Sequence, residues 1–458
     1  MPSRALAPAA FVAAVLLAAC VDDGITDPVA RAPGAPLAAV AGGAQGYAYT
    51  CGLSIAPSQS LANQQIDSIY QQWKTRYIRD AGGGALRVSN GVVSHDTTRT
   101  EDTYSEGIGY GMLIAAYMDD QPLFNGLWAY AKRYQVTFKG KSGLMAWHID
   151  RSGAVMDSAF ATDGDEDMAF ALIVADKKWG GYTADANTLL GNLLAYAVDS
   201  ENVLLPGTWS GGRLVHISYF DPAYYRTFAE YTGVSRWNDV TAMSYTVIGR
   251  LNAKGLNATT GLVPDRSTAY GDTARNWNPV TQQFDGTPYN YDYQWDAFRT
   301  PWRLAKDLVW NCDSGAKSQL TLMNGFWRSV GPANIGDGYR IDGTPLQRSY
   351  GFSHDNAFVS TAMNASLFVG DSAHQAAMWN ETMAGTQYSY YGTSLRLLTT
   401  LLASGNMPHP LYRIADSFER GSTSGWNTWK CSTCTMTVST TSPGALGSRA
   451  ALRLDYTI

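Results

Sequence analysis

Three acid-bearing stretches in this chain could do chemistry. Thr103-Tyr104-Ser105-Glu106-Gly107-Ile108-Gly109-Tyr110-Gly111-Met112 sets one glutamate ahead of small residues that would let a substrate approach closely. Ala161-Thr162-Asp163-Gly164-Asp165-Glu166-Asp167 is densely acidic, and Tyr293-Gln294-Trp295-Asp296-Ala297-Phe298-Arg299-Thr300-Pro301-Trp302-Arg303 sets Asp296 just ahead of Arg299. Paired carboxyl groups suit hydrolysis of a glycosidic bond. One donates a proton to the departing oxygen, and the other handles water or the anomeric carbon. Each stretch also has a plain structural explanation. Glu106 would be a favourable charge at the positive end of a helix. Thr162 or Asp163 would cap a helix whose first turn is acidic, with at most one or two of its four acids facing a site. Asp296 would be an N-cap, with Pro301 somewhat late for the first turn. Residue types alone leave both explanations open.

The elements that must position these residues are helices. In 61–77, Ile66, Ile69, Tyr70, Trp73 and Tyr77 recur at steps of three and four, which marks one apolar helical face. Comparable faces occur at 121–138, 184–198, 236–254 and 389–404. Weaker ones lie near 106–118, 164–177, 221–231, 297–310, 315–332, 354–366 and 371–384. Together they predict about twelve helices separated by Gly-, Pro- and Asn-rich segments, an all-α domain whose arrangement periodicity does not fix. No GxGxxG opening a βαβ unit and no P-loop occurs.

The chain has 458 residues, 45% hydrophobic and 16% charged, enough for one large domain with appendages. Its net charge of −5 gives no footprint for nucleic acid, which calls for a basic patch. The 14 Trp and 27 Tyr exceed what a polar surface needs. Most serve as core, and the remainder could stack against the flat faces of sugars.

The two ends differ from the middle. Arg4, then the short apolar run Phe11–Ala19, then Leu17-Ala18-Ala19-Cys20, predict an export signal of lipoprotein type over 1–20, with lipidation at Cys20. The run is too short to span a bilayer. Residues 21–46, with Pro28, Pro33 and Pro36, predict a flexible tether. Residues 414–458 are rich in Ser, Thr and Gly, and Leu452, Leu454 and Tyr456 alternate, which predicts short strands and part of a β-sandwich carbohydrate-binding-like segment. Cys51, Cys312, Cys431 and Cys434 permit disulfides in an exported chain, with pairing open, and their spacing shows no zinc site.

Several of these strings, in order, resemble glycoside hydrolase family 8. They are SEGIGYGM from Ser105, GLMAWHID from Gly143, ATDGDEDMAFALIVADKKWG from Ala161, WSGG from Trp209 and SYFDPAYY from Ser218. TGLVPD from Thr260, WDAFRTPWR from Trp295 and YYGTSLRLL from Tyr390 complete the series, so the resemblance covers 47–413. It implies an (α/α)6 barrel and an inverting mechanism. By the same resemblance Glu106 matches the family's proton donor, Asp296 the general base of the cellulase-like subgroup, and Asp163 the aspartate that holds the distorted sugar. Trp295 stands where that subgroup has a tyrosine. Trp147, Trp209 and Tyr219 match aromatic positions along the cleft, Arg299 an arginine beside the base, and Tyr391 a late tyrosine at the same subsite. Asp296 argues against chitosan as substrate.

The expectation is therefore an endo-acting β-1,4-glucanase, a cellulase, working on cellulose or related β-glucan by single displacement. It would need no metal and no organic cofactor, act as a monomer, and sit at a bacterial membrane through a lipid anchor or be secreted. A xylanase or mixed-linkage β-glucanase of the same family is the nearer alternative. A non-catalytic glycan-binding surface protein is the remoter one, since all three acids are kept.

Overall fold

The computed structural model describes residues 49–91, 99–138, 141–208, 214–278, 283–289, 291–347, 354, 356–385, 389–411, 435–441 and 451–457. Among these lie twelve α-helices: α1 (Gln59–Tyr77), α2 (Ser105–Tyr117), α3 (Gln121–Arg133), α4 (Thr162–Trp179), α5 (Thr183–Tyr196) and α6 (Pro222–Thr232). The second half contributes α7 (Arg236–Asn252), α8 (Thr300–Asn311), α9 (Ser314–Val330), α10 (Asn356–Met363), α11 (Ser372–Ala384) and α12 (Tyr390–Ala403). Each of the twelve periodic segments read from the sequence corresponds to one of them.

Their packing alternates. The even-numbered helices touch one another in cyclic order, α2 to α4, α6, α8, α10, α12 and back to α2. Each odd-numbered helix lies outside one of these: α3 on α2, α5 on α4, α7 on α6, α9 on α8, α11 on α10 and α1 on α12. The result is an (α/α)6 barrel. Burial follows from it. In α2 every residue but Glu106 is buried, and in α12 everything from Gly392 to Ala403 is. Outer α1 buries only a stripe containing Ala62, Ile66, Ile69, Trp73 and Tyr77, as expected of a helix with one apolar face against a core. An outer helix that returns the chain after each inner one makes all inner helices run the same way, so their N-termini gather at one end.

Local chemistry sets the helix ends. Ser58, Asp120, Asp221, Asp313, Asp371 and Ser389 each accept a hydrogen bond from a backbone N–H in the first turn of the helix that follows, satisfying one of the donors a helix leaves orphaned. Gly233, in the left-handed region at φ 72°, ends α6.

Three segments differ from the sequence expectation. The helix expected over 121–138 stops at Arg133, because the β-branched run Gln135–Phe138 pairs antiparallel with Lys141–Met145. The segment 297–310 opens as a 3-10 turn, Trp295–Arg299, before α8 begins at Thr300. Pro301 is thus in the first helical turn rather than late for it. The segment 354–366 likewise tightens from α10 into a 3-10 turn, Asn364–Ser366.

The alternation in the C-terminal stretch corresponds to an antiparallel hairpin, Thr435–Thr441 with Ala451–Thr457. Cys20, the tether, Cys431 and Cys434 lie outside the described residues. Among the described residues no helix is long and apolar enough to cross a membrane.

Cys51, ahead of α1, is joined to Cys312, which caps the C-terminus of α8, with Cα atoms 5.2 Å apart and a sequence separation of 261. The bond ties the chain's entry into the barrel to an inner helix. Closing so long a loop restricts the unfolded chain strongly, so C51S/C312S should lose about 2–5 kcal/mol. A urea midpoint unchanged from that of the oxidised parent would show that the cross-link does not constrain unfolding.

Candidate active site

The convergence of inner N-termini puts chemistry-bearing residues at one end of the barrel. Glu106 is in the first turn of α2 and Asp163 in the first turn of α4. Tyr390 and Tyr391 open α12. Asp296 and Arg299 belong to the 3-10 turn leading into α8, and Tyr219 ends the 3-10 turn Ile217–Tyr219 just before α6. The helices α2, α4 and α8 have no side-chain cap. The structural explanation in which Thr162 or Asp163 caps α4 is therefore replaced. The N-cap is Ala161, and Asp163 reaches across the barrel instead. Asp296 caps nothing either, since Arg299 occupies the N-cap position of α8.

Glycines bring the first two acids together. A Cβ on Gly164 would meet the backbone carbon of Ser105 at 2.6 Å and the backbone nitrogen of Glu106 at 2.8 Å. A Cβ on Gly109 would meet the carbonyl oxygen of Gly164 at 2.7 Å. Only glycine permits so close an approach of α2 and α4. The Gly in SEGIG and the Gly in TDGDE are two sides of one helix crossing.

Arg299 is fully buried and is the hub. Its Nη1 donates to Glu106 Oε2 at 3.0 Å, to Asp163 Oδ2 at 2.5 Å and to the Tyr110 hydroxyl at 3.0 Å. Its Nη2 lies 3.1 Å from Asp296 Oδ2. The guanidinium also stacks 4.8 Å from the centre of the Tyr219 ring, whose hydroxyl donates weakly to Asp296 Oδ2 at 3.4 Å. The other oxygen of Glu106 accepts from the Tyr390 hydroxyl at 2.8 Å. One oxygen of Asp163, Oδ1, is buried and has no protein partner.

One guanidinium cannot hold every carboxylate ionised. Burial pushes Glu106 up to about 8; Arg299 opposes this, while the negative charges of Asp163 and Asp296 add to it. Burial also raises Asp163 against the pull of Arg299. For Asp296 burial is outweighed by the Arg299 charge and then by the nearby His216, 3.7 Å away, and the carboxyl is held well below the usual carboxylate range. The remaining acids of the α4 turn face elsewhere. Asp165 accepts from the Met145 backbone at 3.0 Å, Glu166 from the Tyr225 hydroxyl at 3.1 Å, and Asp167 pairs with Arg303.

Trp295 is 61% exposed beside Asp296, at φ 49°, and its carbonyl accepts from the Tyr391 hydroxyl at 3.2 Å. Trp147 is half-buried and stacks on Tyr104, ring centres 5.7 Å apart; Tyr104 in turn stacks on Tyr390. Trp209 lies outside the described residues. Glu106, Asp163, Asp296, Arg299, Tyr219 and Tyr391 are thus brought together around one guanidinium and its flanking turn, with Trp295 at their edge.

A family model described as glycosyl hydrolases family 8 matches residues 45–405. The chain belongs to glycoside hydrolase family 8. It is 38% identical over 372 residues to Endoglucanase A of Acetivibrio thermocellus, covering 78% of this chain and 72% of that one. The reducing-end xylose-releasing exo-oligoxylanase of Paenibacillus barcinonensis is 27% identical, over 68% of this chain and 83% of that one. Among solved structures, the apo β-1,3-1,4-glucanase from Paenibacillus sp. X4 superposes with a TM-score of 0.70 at 28% identity, over 79% of this chain and 97% of that one.

Sequence reasoning missed four residues of this family 8 site. Tyr390 holds Glu106, and Tyr110 holds Arg299. Tyr110 follows Glu106 by four residues, the spacing that shares a helical face, and this was a usable signal. His216 and Asp265 flank Asp296 from segments distant in sequence; Asp265 ends the TGLVPD string, but nothing in that string places it beside Asp296, and no local pattern points to His216.

Removing Arg299 would leave buried carboxylates without their counter-charge, so Arg299→Met should destabilise by about 3–5 kcal/mol at neutral pH. Without the guanidinium the folded-state pKa values of Glu106 and Asp163 rise further above their unfolded values, and Asp296 loses the main cause of its depression. The penalty should therefore deepen as pH rises above the unfolded carboxylate pKa and shrink as pH falls toward it. Urea titrations at several pH values check this; a pH-independent deficit would mean that lost packing, not charge, is responsible.

Proposed function

We propose that this protein hydrolyses β-1,4-glucosidic bonds within cellulose or a related β-glucan, inverting the anomeric configuration. Glu106 is the general acid, Asp296 the general base, and Asp163 holds the sugar at the bond being cut. The observation that carries this reading is the opposite displacement of two carboxyl pKa values across a single guanidinium. Two titratable groups pushed apart in this way divide acid and base roles at one pH.

The proposed steps use the groups around Arg299. Glu106, protonated below about pH 8, delivers its proton to the departing glycosidic oxygen, and the Tyr390 and Arg299 hydrogen bonds then stabilise the carboxylate left behind. Asp296, ionised throughout, takes a proton from a water that attacks the anomeric carbon from the opposite face. The unpartnered Oδ1 of Asp163 is free to accept from a sugar hydroxyl, an interaction that strengthens as the ring distorts. Trp295, Trp147 and Tyr391 bind successive sugars through apolar ring faces. The endoglucanase likeness at 38% identity favours β-1,4-glucan. The structural likeness to a β-1,3-1,4-glucanase makes mixed-linkage glucan the second substrate to assay, and xylan the third. Export with lipidation at Cys20 is part of the same proposal; a native N-terminus found by mass spectrometry to be unmodified and beyond Cys20 would remove that part.

Glu106→Gln should lose about 10²–10⁴-fold on β-glucan yet keep appreciable activity on oligosaccharides with a fluoride or activated aryl leaving group. Asp296→Asn should lose both activities. The first product from a β linkage should be the α anomer by proton NMR, and a β-anomeric first product would overturn the assignment. Because the folded Glu106 pKa lies near 8, kcat/KM should fall as pH rises through that value, when the donor loses its proton. That alkaline limb should be absent from residual Glu106→Gln turnover of the activated substrates; a limb that persists there belongs to another group.

Asp163→Ala should nearly abolish turnover with the far-ultraviolet circular dichroism unchanged, since the helix cap does not depend on it. Loss of helical signal in that variant would instead assign Asp163 a folding role.

A further inference from the structure

A second set of ligating atoms includes Asp296. His216, Asp265 and Asp296 each offer one donor atom, all within 4.8 Å of one another. Three separate segments supply them, and the backbone holds those segments together. The strand Leu214–Val215 pairs with Ser267–Thr268, Val215 opposite Ser267, which places His216 beside Asp265. The Asp265 N–H donates to the Asp292 carbonyl at 2.8 Å, bringing in the chain that leads to Asp296.

Within the set, polar atoms are left over. His216 is 3% exposed, and neither ring nitrogen has a hydrogen-bond partner of good geometry; Nδ1 stands 3.7 Å from Asp296 Oδ2. Asp265 Oδ1 is also buried without a partner. A buried imidazole and carboxylate in this state cost free energy unless something satisfies them. Beside the set is a recess of about 180 Å³ lined by Asp265, Arg266, Tyr289, Gln294 and Trp295, which gives access from solvent.

We propose that His216, Asp265 and Asp296 form a binding site for a divalent transition-metal ion of the zinc type, and that occupancy of this site blocks the base. One imidazole with two carboxylates is a three-ligand set that suits zinc and leaves a fourth position open toward the recess. Bonds of about 2.0–2.2 Å require the donors to close by roughly 1 Å from their present spacing. Asp296 is part-exposed in its 3-10 turn. Arg266, 3.7 Å from Asp265, and Arg299 oppose a cation here. Asp163, paired to Arg299, offsets part of that opposition. A bound ion would take the lone pair with which Asp296 accepts a proton from water. The inhibitory consequence rests on the role proposed above for Asp296, whereas the binding itself does not.

The test is calorimetric titration of the full chain, stripped with chelator and dialysed, with zinc chloride. Its hydrolysis of β-glucan is assayed first without metal, so that an inactive metal-free protein would count against the proposed function alone. Native protein should bind one ion saturably. His216→Gln and Asp265→Asn, each checked for folding by circular dichroism, should weaken binding at least about tenfold. Hydrolysis by the native protein should fall in parallel with occupancy. No saturable binding, or binding equally tight in both variants, would overturn the site. Binding that leaves hydrolysis unchanged would overturn the claim that the ion blocks the base.

Discussion

One buried guanidinium sets the terms for everything around it. Arg299 carries a single positive charge at the place where Glu106, Asp163 and Asp296 meet. Three anions cannot be matched by one cation in a medium that solvates charge poorly, so the site must keep at least one carboxyl protonated. The nearest charged neighbours decide how the protons divide. Asp296 has Arg299 and His216 on it and stays ionised, whereas Glu106 is buried against two other acids and holds its proton.

The barrel repeats this arrangement one turn deeper. Arg303 on α8 follows that helix's N-cap, Arg299, by four residues, and Asp167 follows Asp163 by four on α4, so the two pairs stack on the same faces. Arg303 binds Asp167 through both terminal nitrogens, at 2.5 and 2.8 Å, and lies 3.2 Å from Asp221; Lys306 contacts Asp221 at 2.5 Å. Lys306 also stacks between Tyr224 and Trp302, 3.9 and 3.6 Å from their ring centres. Fully buried ion pairs contribute little net stability, but an alternative register that broke them would be strongly disfavoured. The deeper layer thus fixes α4 against α8 and α6, and the upper layer inherits its spacing. Glycine contacts between α2 and α4 fix the remaining wall.

Helical periodicity located the twelve helices because each must bury one face, and that requirement is written locally. The cyclic order of the inner helices was not legible from it, since a buried stripe does not say which helix it will meet. Among site residues, Glu106, Asp163, Asp296 and Arg299 were accessible through the strings that resemble family 8, whereas their local chemistry also fitted helix caps. The cap explanation fails for Asp163 because Ala161 is the N-cap of α4 and the carboxylate is drawn toward Arg299, a contact 136 residues away in sequence. The meeting of His216 and Asp265 was illegible for the same reason. A two-residue strand pair brings them together, and pairs that short leave no alternation to read. The ends of α3 and α8 were misjudged where β-branched residues and a 3-10 turn overrode the helical period.

The division of protons between Glu106 and Asp296 is the claim on which the mechanism stands, and infrared difference spectroscopy near neutral pH reads it without substrate. The account predicts a protonated-carboxyl band in the spectrum of the wild type minus Glu106→Gln, sensitive to deuterium exchange, and only an ionised-carboxylate signal in the wild type minus Asp296→Asn. A protonated-carboxyl band that disappears with Asp296→Asn and survives Glu106→Gln would contradict it.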